Sequence, residues 1–444
     1  MSKVVVFGAG LVVRAHVRYL LDHGFDVTVA SRTVGKAEAI VDGHPRGTPM
    51  AFDIAREPAR LGEIVAAHDL AVSLLPWQYH PAVAESCVGH GKNMVTTSYV
   101  KDDMKALDGP AKAAGVMLLN ELGVDPGIDH MTAMQVIHRV QAAGGTITTF
   151  QSYCGGLPAP EANDNPFGYK FSWSPRGVLL AGLNDASYRM NGADTEVPGV
   201  QLFDHIWSVP VEVQGRVVEF QGYPNRDSMP YTETYGIDPA QTMFRGTLRN
   251  PHWCAIMKQI ARLGWLRTDE LEGLDGATFA DVTARLLGAG GTDDVKDVAA
   301  NRLDLDPAGP EVSGMEWVGL FSDEPLPDAK APVDILTARM LDTMSYTEGE
   351  RDMLVLQHTF IAEYPDHREK IITTMVDFGI PGGDSSMNRT VGLPAAVTAR
   401  FVLEGGFHQP GVVVPVMPEL YEPVLEELGR LGITFTESVQ QLPD

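Results

Sequence analysis

Lys3-Val4-Val5-Val6-Phe7-Gly8-Ala9-Gly10-Leu11-Val12-Val13-Arg14 decides the fold. Four consecutive apolar residues, two glycines and an amphipathic continuation predict a strand, a tight turn and a helix. Gly8 lets the chain turn off the strand. Gly10 lets backbone amides approach a pyrophosphate at the helix N-terminus, where the helix dipole favours negative charge. Val13 stands where the dinucleotide fingerprint usually has a third glycine, so context carries the motif. The turn follows a strand, precedes a helix, and is succeeded by a second apolar run, Val27-Thr28-Val29-Ala30.

That second run ends in Ser31-Arg32-Thr33, with Lys36 one turn on. An acidic residue at this position would bind the ribose 2′-hydroxyl of NAD. A guanidinium beside hydroxyls suits a 2′-phosphate instead, so the expected cofactor is NADP(H).

The next segments repeat the pattern. Strands are predicted at Val4–Phe7, Val27–Ala30, Pro49–Phe52, Asp69–Leu75, Asn93–Thr97 and Val116–Leu119, with amphipathic runs such as Ala55–Ala67 and Met104–Ala114 between them. The fold class is α/β, an N-terminal Rossmann doubly wound parallel sheet, followed by a mixed α+β substrate domain with a helical insertion. In such sheets ligands sit beyond the carboxyl ends of the strands. Ser73-Leu74-Leu75-Pro76-Trp77, Thr96-Thr97-Ser98-Tyr99 and the run Asn120 to Gly127 are therefore expected to face the same crevice as Gly8 and Gly10.

After Asp129-His130 the composition shifts. Alternating strand patterns at Thr146–Tyr153 and Val209–Phe220 are broken by Gly- and Pro-rich turns, and Trp253–Leu303 is helical in period. The expected domains are 1–128, binding NADP; 129–390, for substrate binding and dimerisation, with the insertion at about 253–303; and 391–444, two helices around a short Val412–Val416 strand, packing back on the first domain.

With 444 residues, more than one domain is expected. The chain is 44% hydrophobic and 21% charged, as in globular proteins, and no apolar stretch reaches membrane-spanning length. A formal net charge of −24 argues against nucleic acid or anionic membranes as partners. Any anionic small molecule must then be met by local arginines and lysines. Three cysteines, Cys87, Cys154 and Cys254, fit a reducing compartment and no disulfide framework; with no secretion-type leader in the first residues, the expected location is cytoplasmic. No metal site is expected, because the histidines and cysteines lack ligand spacing. The size of the second domain points to a homodimer.

Three constellations carry candidate chemistry. Ser152 to Glu161 and Asn165 to Ser174 form a rigid loop region with Lys170, Tyr169 and Trp173 close in sequence. Arg226, in Tyr223-Pro224-Asn225-Arg226-Asp227-Ser228, and Arg245 are candidates for clamping carboxylates through the bidentate guanidinium fork. Asp125, beside Pro126-Gly127, can pair with a substrate amine or cap the following helix, and His130 can move protons near neutral pH.

The quoted words resemble the saccharopine dehydrogenase family of the NADP-dependent, L-glutamate-forming type. The resemblance runs through most of the chain: Val95–Tyr99, Asn120–His130, Ser152–Glu161, Asn165–Arg176, Tyr223–Ser228, Arg245–Arg249, Gly349–Met353 and Thr390–Pro394. It implies an oxidoreductase of lysine metabolism that oxidises the secondary amine of saccharopine and hydrolyses the imine to L-glutamate and L-2-aminoadipate 6-semialdehyde, or the reverse. It also implies site residues. Gly8, Gly10, Leu11 and Val12 would hold the pyrophosphate; Ser31, Arg32 and Thr33 the adenosine phosphate; Asp53 and Ile54 the adenine side. Ser73 and Leu75 would line the ribose, and Thr97 and Ser98 the nicotinamide. Leu122, Val124, Asp125 and Pro126 would lie where cofactor and substrate meet. Ser98, Tyr99, Asp125 and Arg226, with Arg245, Gly246 and Thr247, would contact saccharopine. The turn at Val12-Val13-Arg14, the Trp77-Gln78-Tyr79 segment and Leu122-Gly123-Val124 depart from the usual family words.

Asp125, His130 and Lys170 are all candidates for activating the hydrolytic water, and Tyr99 for a hydrogen bond to a polar substrate group. Two alternatives stand beside this: a related imine reductase such as carboxynorspermidine dehydrogenase, and a non-catalytic NADP-binding regulator. The first would need more carboxylates for a cationic substrate; the second would not need Tyr99, Asp125 and Arg226 together.

Overall fold

The computed structural model describes residues 2–289 and 294–443. The chain divides into two compact units. The first is Met1–Thr146, Tyr364–Asp366 and Gly383–Thr436; the second is Ile147–Glu363, His367–Gly382 and Glu437–Asp444.

The first unit is built on a parallel sheet. Its first six strands are β1 (Lys3–Phe7), β2 (Asp26–Ser31), β3 (Gly47–Ala51), β4 (Leu70–Ser73), β5 (Asn93–Thr96) and β6 (Met117–Leu119). They lie in the order 6-5-4-1-2-3, and a seventh strand, Gly411–Val413, adds beside β6. All of these pairs are parallel. This is the doubly wound arrangement, with the reversal of strand order between β1 and β4. Val4 to Phe7 are fully buried, as a central strand covered on both faces requires.

The helix after β1, Arg14–Asp22, packs against the late helix Ser386–Leu403. Their closest approach is at Gly392, where a Cβ would meet the Val12 carbonyl at 2.9 Å and the His16 amide at 3.1 Å. His16 Nδ1 lies 3.1 Å from the Gly392 carbonyl oxygen. The same late helix supplies a cap from a distance: Asn388 Oδ1 accepts a hydrogen bond from the Ala15 amide, while Arg14 pairs with Asp384 at 2.6 Å.

The second unit holds a nine-stranded mixed sheet. Its strands are β7 (Thr146–Pro158), β8 (Ala186–Met190), β9 (Ala193–Val197), β10 (Trp207–Val213), β11 (Arg216–Pro224), β12 (Thr242–Arg249), β13 (Asp352–Glu363) and β14 (Arg368–Phe378), with Thr436–Leu442 beside β14. The Val209–Phe220 pattern read as one strand is a hairpin. Gln214 and Gly215, with φ of 51° and 77°, turn the chain between β10 and β11. Two positive φ values make the tight turn that two strands need, and the buried positions change parity across it, from Val209, Val211 and Val213 to Phe220 and Gly222. The Met104–Ala114 run is likewise two short helices, Asp102–Lys105 and Asp108–Ala114.

The helical segment contains Trp253–Leu263, Phe279–Leu287 and Val295–Leu303; residues 290–293 lie outside the described residues. Thr278 and Asp281 form a reciprocal capping box at the start of the second of these helices. Their apolar faces join a core that includes Trp253, Trp265, Phe244 and Leu336.

Candidate active site

The glycine turn sits where β1 ends, at the reversal point of the sheet. Gly8 has φ +118°, and a Cβ there would stand 2.6 Å from the Leu74 carbonyl oxygen. Its amide donates to Ala30 O and the Leu74 amide donates to Phe7 O, so the turn is pinned to both neighbouring strands. A Cβ on Gly10, by contrast, would meet nothing within 4 Å. The following helix has no side-chain cap from its own N-cap residue, Val13. A turn closed on the protein side and open on the other fits a pyrophosphate approaching the amides. Leu11 is 62% exposed beside it.

Strand β2 delivers Ser31, buried, and then Arg32 and Thr33, both exposed. Ser31 Oγ accepts from the Thr33 amide at 3.2 Å, which fixes the turn around Arg32. Asp53 is partly exposed, and its Oδ1 accepts from the Ala55 amide; Ile54 points into the core with Phe52.

The ends of β5 and β6 are zipped together. The Leu122 amide donates to Thr96 O, Glu121 N to Ser98 O, and Val100 N to Glu121 Oε1. These bonds gather Thr97, Ser98, Tyr99 and Asp125. Tyr99 donates its phenolic hydrogen to Asp125 Oδ1 at 2.7 Å. Within Leu122 to Pro126, Leu122, Val124 and Pro126 are buried and only Asp125 is partly exposed. A Cβ on Gly127 would collide with the Gly123 backbone at 2.1 Å, so this loop closes only with glycine there.

His130 lies under the loop rather than in it. It is fully buried, with Nε2 2.7 Å from Glu121 Oε2. Asp129 Oδ1 accepts from the amides of Gly127 and His130. The pair holds the loop from beneath.

Two features escaped the sequence. His80, first residue of the helix His80–His90, bridges Ser73 and Ser98: its Nδ1 is 2.8 Å from Ser73 Oγ and its Nε2 2.8 Å from Ser98 Oγ. Spacings of 7 and 18 residues follow no periodic signal. In the second unit, Arg249 closes the Arg245–Arg249 word, and its buried guanidinium lies 4.9, 6.0 and 5.5 Å from the ring centres of Tyr169, Tyr223 and Trp253.

The other candidates of the second unit lie on β7, β11 and β12 and the loops that follow. Arg226, in the loop after β11, has φ +59° and an exposed side chain, and its carbonyl accepts from the Ser187 amide. Arg245 is buried, its guanidinium 4.2 Å from the Tyr231 ring centre and its amide bound to Ser228 Oγ. At Gly246 a Cβ would meet Phe244 at 2.6 Å and the Tyr223 carbonyl at 2.8 Å. Arg245, Thr247 and Arg249 share one face of β12 by strand alternation. Lys170 is buried against Glu350 at 2.7 Å and Asp164 at 3.1 Å. Burial alone would lower its pKa, but the two carboxylates outweigh it and raise the pKa, so the ammonium persists at neutral pH.

Burial pushes His80 and His16 down to about 4, from 6.5. The unfolded chain then binds protons that the native state does not. Their contribution is complete above pH 6.5 and falls as pH drops, by about 1.4 kcal/mol per pH unit for each histidine until pH ~4. Denaturant midpoints at pH 7.5, 6 and 5 are expected to decline in that order; a constant or rising midpoint contradicts this.

Among the described residues, no helix is long and apolar enough to cross a membrane. No group of three His, Cys, Asp or Glu among them is placed to hold a metal.

Comparison with known proteins gives a consistent result. Residues 4–119 match the model of the saccharopine dehydrogenase NADP binding domain, and residues 123–433 that of the saccharopine dehydrogenase C-terminal domain. The chain is 39% identical over 450 residues to saccharopine dehydrogenase [NADP(+), L-glutamate-forming] of Schizosaccharomyces pombe, covering 99% of each. Its identity to the enzyme of the same name from Saccharomyces cerevisiae is 38%, covering 98% of this chain and 99% of that one. To mitochondrial alpha-aminoadipic semialdehyde synthase of Bos taurus it is 36% identical, over 98% of this chain and 47% of that protein. Apo saccharopine dehydrogenase (L-Glu forming) from Saccharomyces cerevisiae superposes with a TM-score of 0.88 at 36% identity, over 99% of this chain and 100% of that one. With its glycine turn, its Arg32 and its Tyr99–Asp125 pair in a fold matched from end to end, the chain belongs to the saccharopine dehydrogenase family.

Proposed function

We propose that this chain is an NADP-dependent saccharopine dehydrogenase, interconverting saccharopine with L-glutamate and L-2-aminoadipate 6-semialdehyde. The observation that carries the assignment is the likeness to glutamate-forming enzymes across 99% of both chains. NADP, when bound, accepts or returns the hydride.

The residues fit that cofactor. The Gly8–Gly10 turn presents amides to a pyrophosphate, with Leu11 and Val12 beside it. Ser31, Arg32 and Thr33 suit the 2′-phosphate, and no acidic side chain stands there. Asp53, Ile54, Ser73, Leu75, Thr97, Ser98, Leu122, Val124 and Pro126 complete the assigned cofactor contacts.

In the oxidative direction the carbon on the lysine side of the secondary amine loses a hydride, the nitrogen loses a proton, and a C=N bond forms. Water adds to that carbon, the C–N bond breaks, and the nitrogen leaves as the amine of glutamate. Asp125 is assigned to orient the amine and to take the proton from water. Its partner Tyr99 donates to the carboxylate at 2.7 Å and is assigned to a polar group of the substrate. His130 is enclosed against Glu121, and Lys170 stays protonated between Glu350 and Asp164. Both are better suited to positioning than to acting as base. Arg226, with Arg245, Gly246 and Thr247, is assigned to the substrate carboxylates.

A cytoplasmic location and a homodimer belong to the same proposal. All three cysteines are buried and outside any disulfide, which suits a reducing compartment. NADPH formation is the test, with saccharopine in one arm and carboxynorspermidine in the other. Turnover with saccharopine, releasing one glutamate per NADPH, is expected; turnover with carboxynorspermidine alone, or with neither, overturns the assignment.

A further inference from the structure

Ser73, His80 and Thr96, buried, and Ser98, partly exposed, form a row of polar groups at the ends of β4 and β5. The Thr96 hydroxyl donates its one hydrogen to Ser73 O at 2.8 Å. Its Oγ1 also lies 3.4 Å from His80 Nε2. With that hydrogen already committed, Thr96 Oγ1 can only accept from the ring, so Nε2 carries the proton. Nε2 then donates to Ser98 Oγ at 2.8 Å. At neutral pH the imidazole is uncharged, so Nδ1 is an acceptor and takes the Ser73 hydroxyl hydrogen at 2.8 Å. Every hydrogen in the row is assigned except that of Ser98.

Ser98 is partly exposed, while Ser73, His80 and Thr96 are buried. Its oxygen is occupied by the imidazole N–H, and no group among the described residues accepts its hydrogen. We propose that His80 is a positioning residue that commits the Ser98 hydroxyl to act as a hydrogen-bond donor toward the bound ligand. The acceptor is an oxygen of the carbonyl or carboxylate class, supplied either by a substrate carboxylate or by the nicotinamide carboxamide. A serine left to rotate would present its lone pairs to that oxygen as often as its hydrogen. The ring removes the wrong orientation before the ligand arrives. This rests on the assignment of Ser98 as a ligand contact.

The experiment is a double-mutant cycle on the whole enzyme. Ser98→Ala, His80→Leu and the double variant are compared for kcat/KM with saccharopine and, by fluorescence titration without substrate, for NADPH affinity. His80→Leu is expected to lower kcat/KM by roughly 10- to 100-fold. The double variant is expected to be no worse than Ser98→Ala. His80→Gln, whose amide N–H reaches Ser98, is expected to recover most of the loss. Loss confined to the saccharopine terms places the acceptor on the substrate; a matching loss of NADPH affinity places it on the carboxamide.

Should leucine prevent folding, His80→Asn, polar but too short for Ser98, carries the same test. If Ser98→Ala changes neither quantity, the ligand-contact assignment itself falls. If Ser98→Ala impairs the enzyme and the His80 loss multiplies onto it in full, the His80 proposal alone is overturned.

Discussion

Arg226→Ala is expected to raise the KM for saccharopine by on the order of 100-fold, equivalent to about 3 kcal/mol for losing one side of a hydrogen-bonded charge pair. The backbone at Arg226 has a hold of its own: φ is +59° and the carbonyl accepts from the Ser187 amide. Removing the guanidinium should therefore leave the loop in place, and the thermal midpoint should move little. Arg226→Lys keeps the charge but loses the planar fork, so an intermediate KM is expected. Steady-state kinetics at saturating NADP, with saccharopine varied, decide it. An unchanged KM in Arg226→Ala removes this residue from the substrate assignment and leaves Arg245 to carry it. The affinity for NADP should not follow the change, because the cofactor residues lie on other elements.

Arg32→Ala is expected to reduce the preference for NADP over NAD by roughly 30- to 100-fold, the loss of about 2–3 kcal/mol from a guanidinium–phosphate contact. Arg32 stands on an exposed turn at the end of β2, pinned by the Ser31 hydroxyl accepting from Thr33 N. The side chain can be removed without opening the sheet. The NAD reaction should be nearly unaffected, since the 2′-hydroxyl of NAD offers the guanidinium no charge. The quantity to measure is the ratio of kcat/KM values for the two cofactors; a ratio equal to that of the parent enzyme excludes Arg32 from 2′-phosphate recognition.

Much of the first unit was legible because a parallel central strand is an uninterrupted apolar run. Val4 to Phe7 and Val27 to Ala30 announce themselves, and the glycines between strand and helix mark the reversal point. The hairpin at Gln214-Gly215 was not legible, because alternation alone does not say where a strand reverses. The supports of the site were hidden for another reason. Lys170 finds Glu350 across 180 positions, and Ala15 finds Asn388 across 373. Such partners leave no spacing to read. His80 was visible as a residue but not as a bridge, since its partners lie on two strands that meet only in the folded sheet. The enclosure of His130 against Glu121 was equally invisible, although both belong to one short word of sequence. Glu121 takes φ +58°, which aims its side chain back under the loop.

The seventh strand of the first sheet, Gly411–Val413, and the helix meeting the glycine-turn helix at Gly392 are made long after the residues they complete. On a ribosome, the cofactor-binding turn emerges first and waits. The inserted stretch from Ile147 to Glu363 is synthesised in full before that outer strand exists. The first sheet is then completed only after most of the second unit has been made, and nascent chains stalled before residue 411 should hold an edge of β6 that is still unsealed.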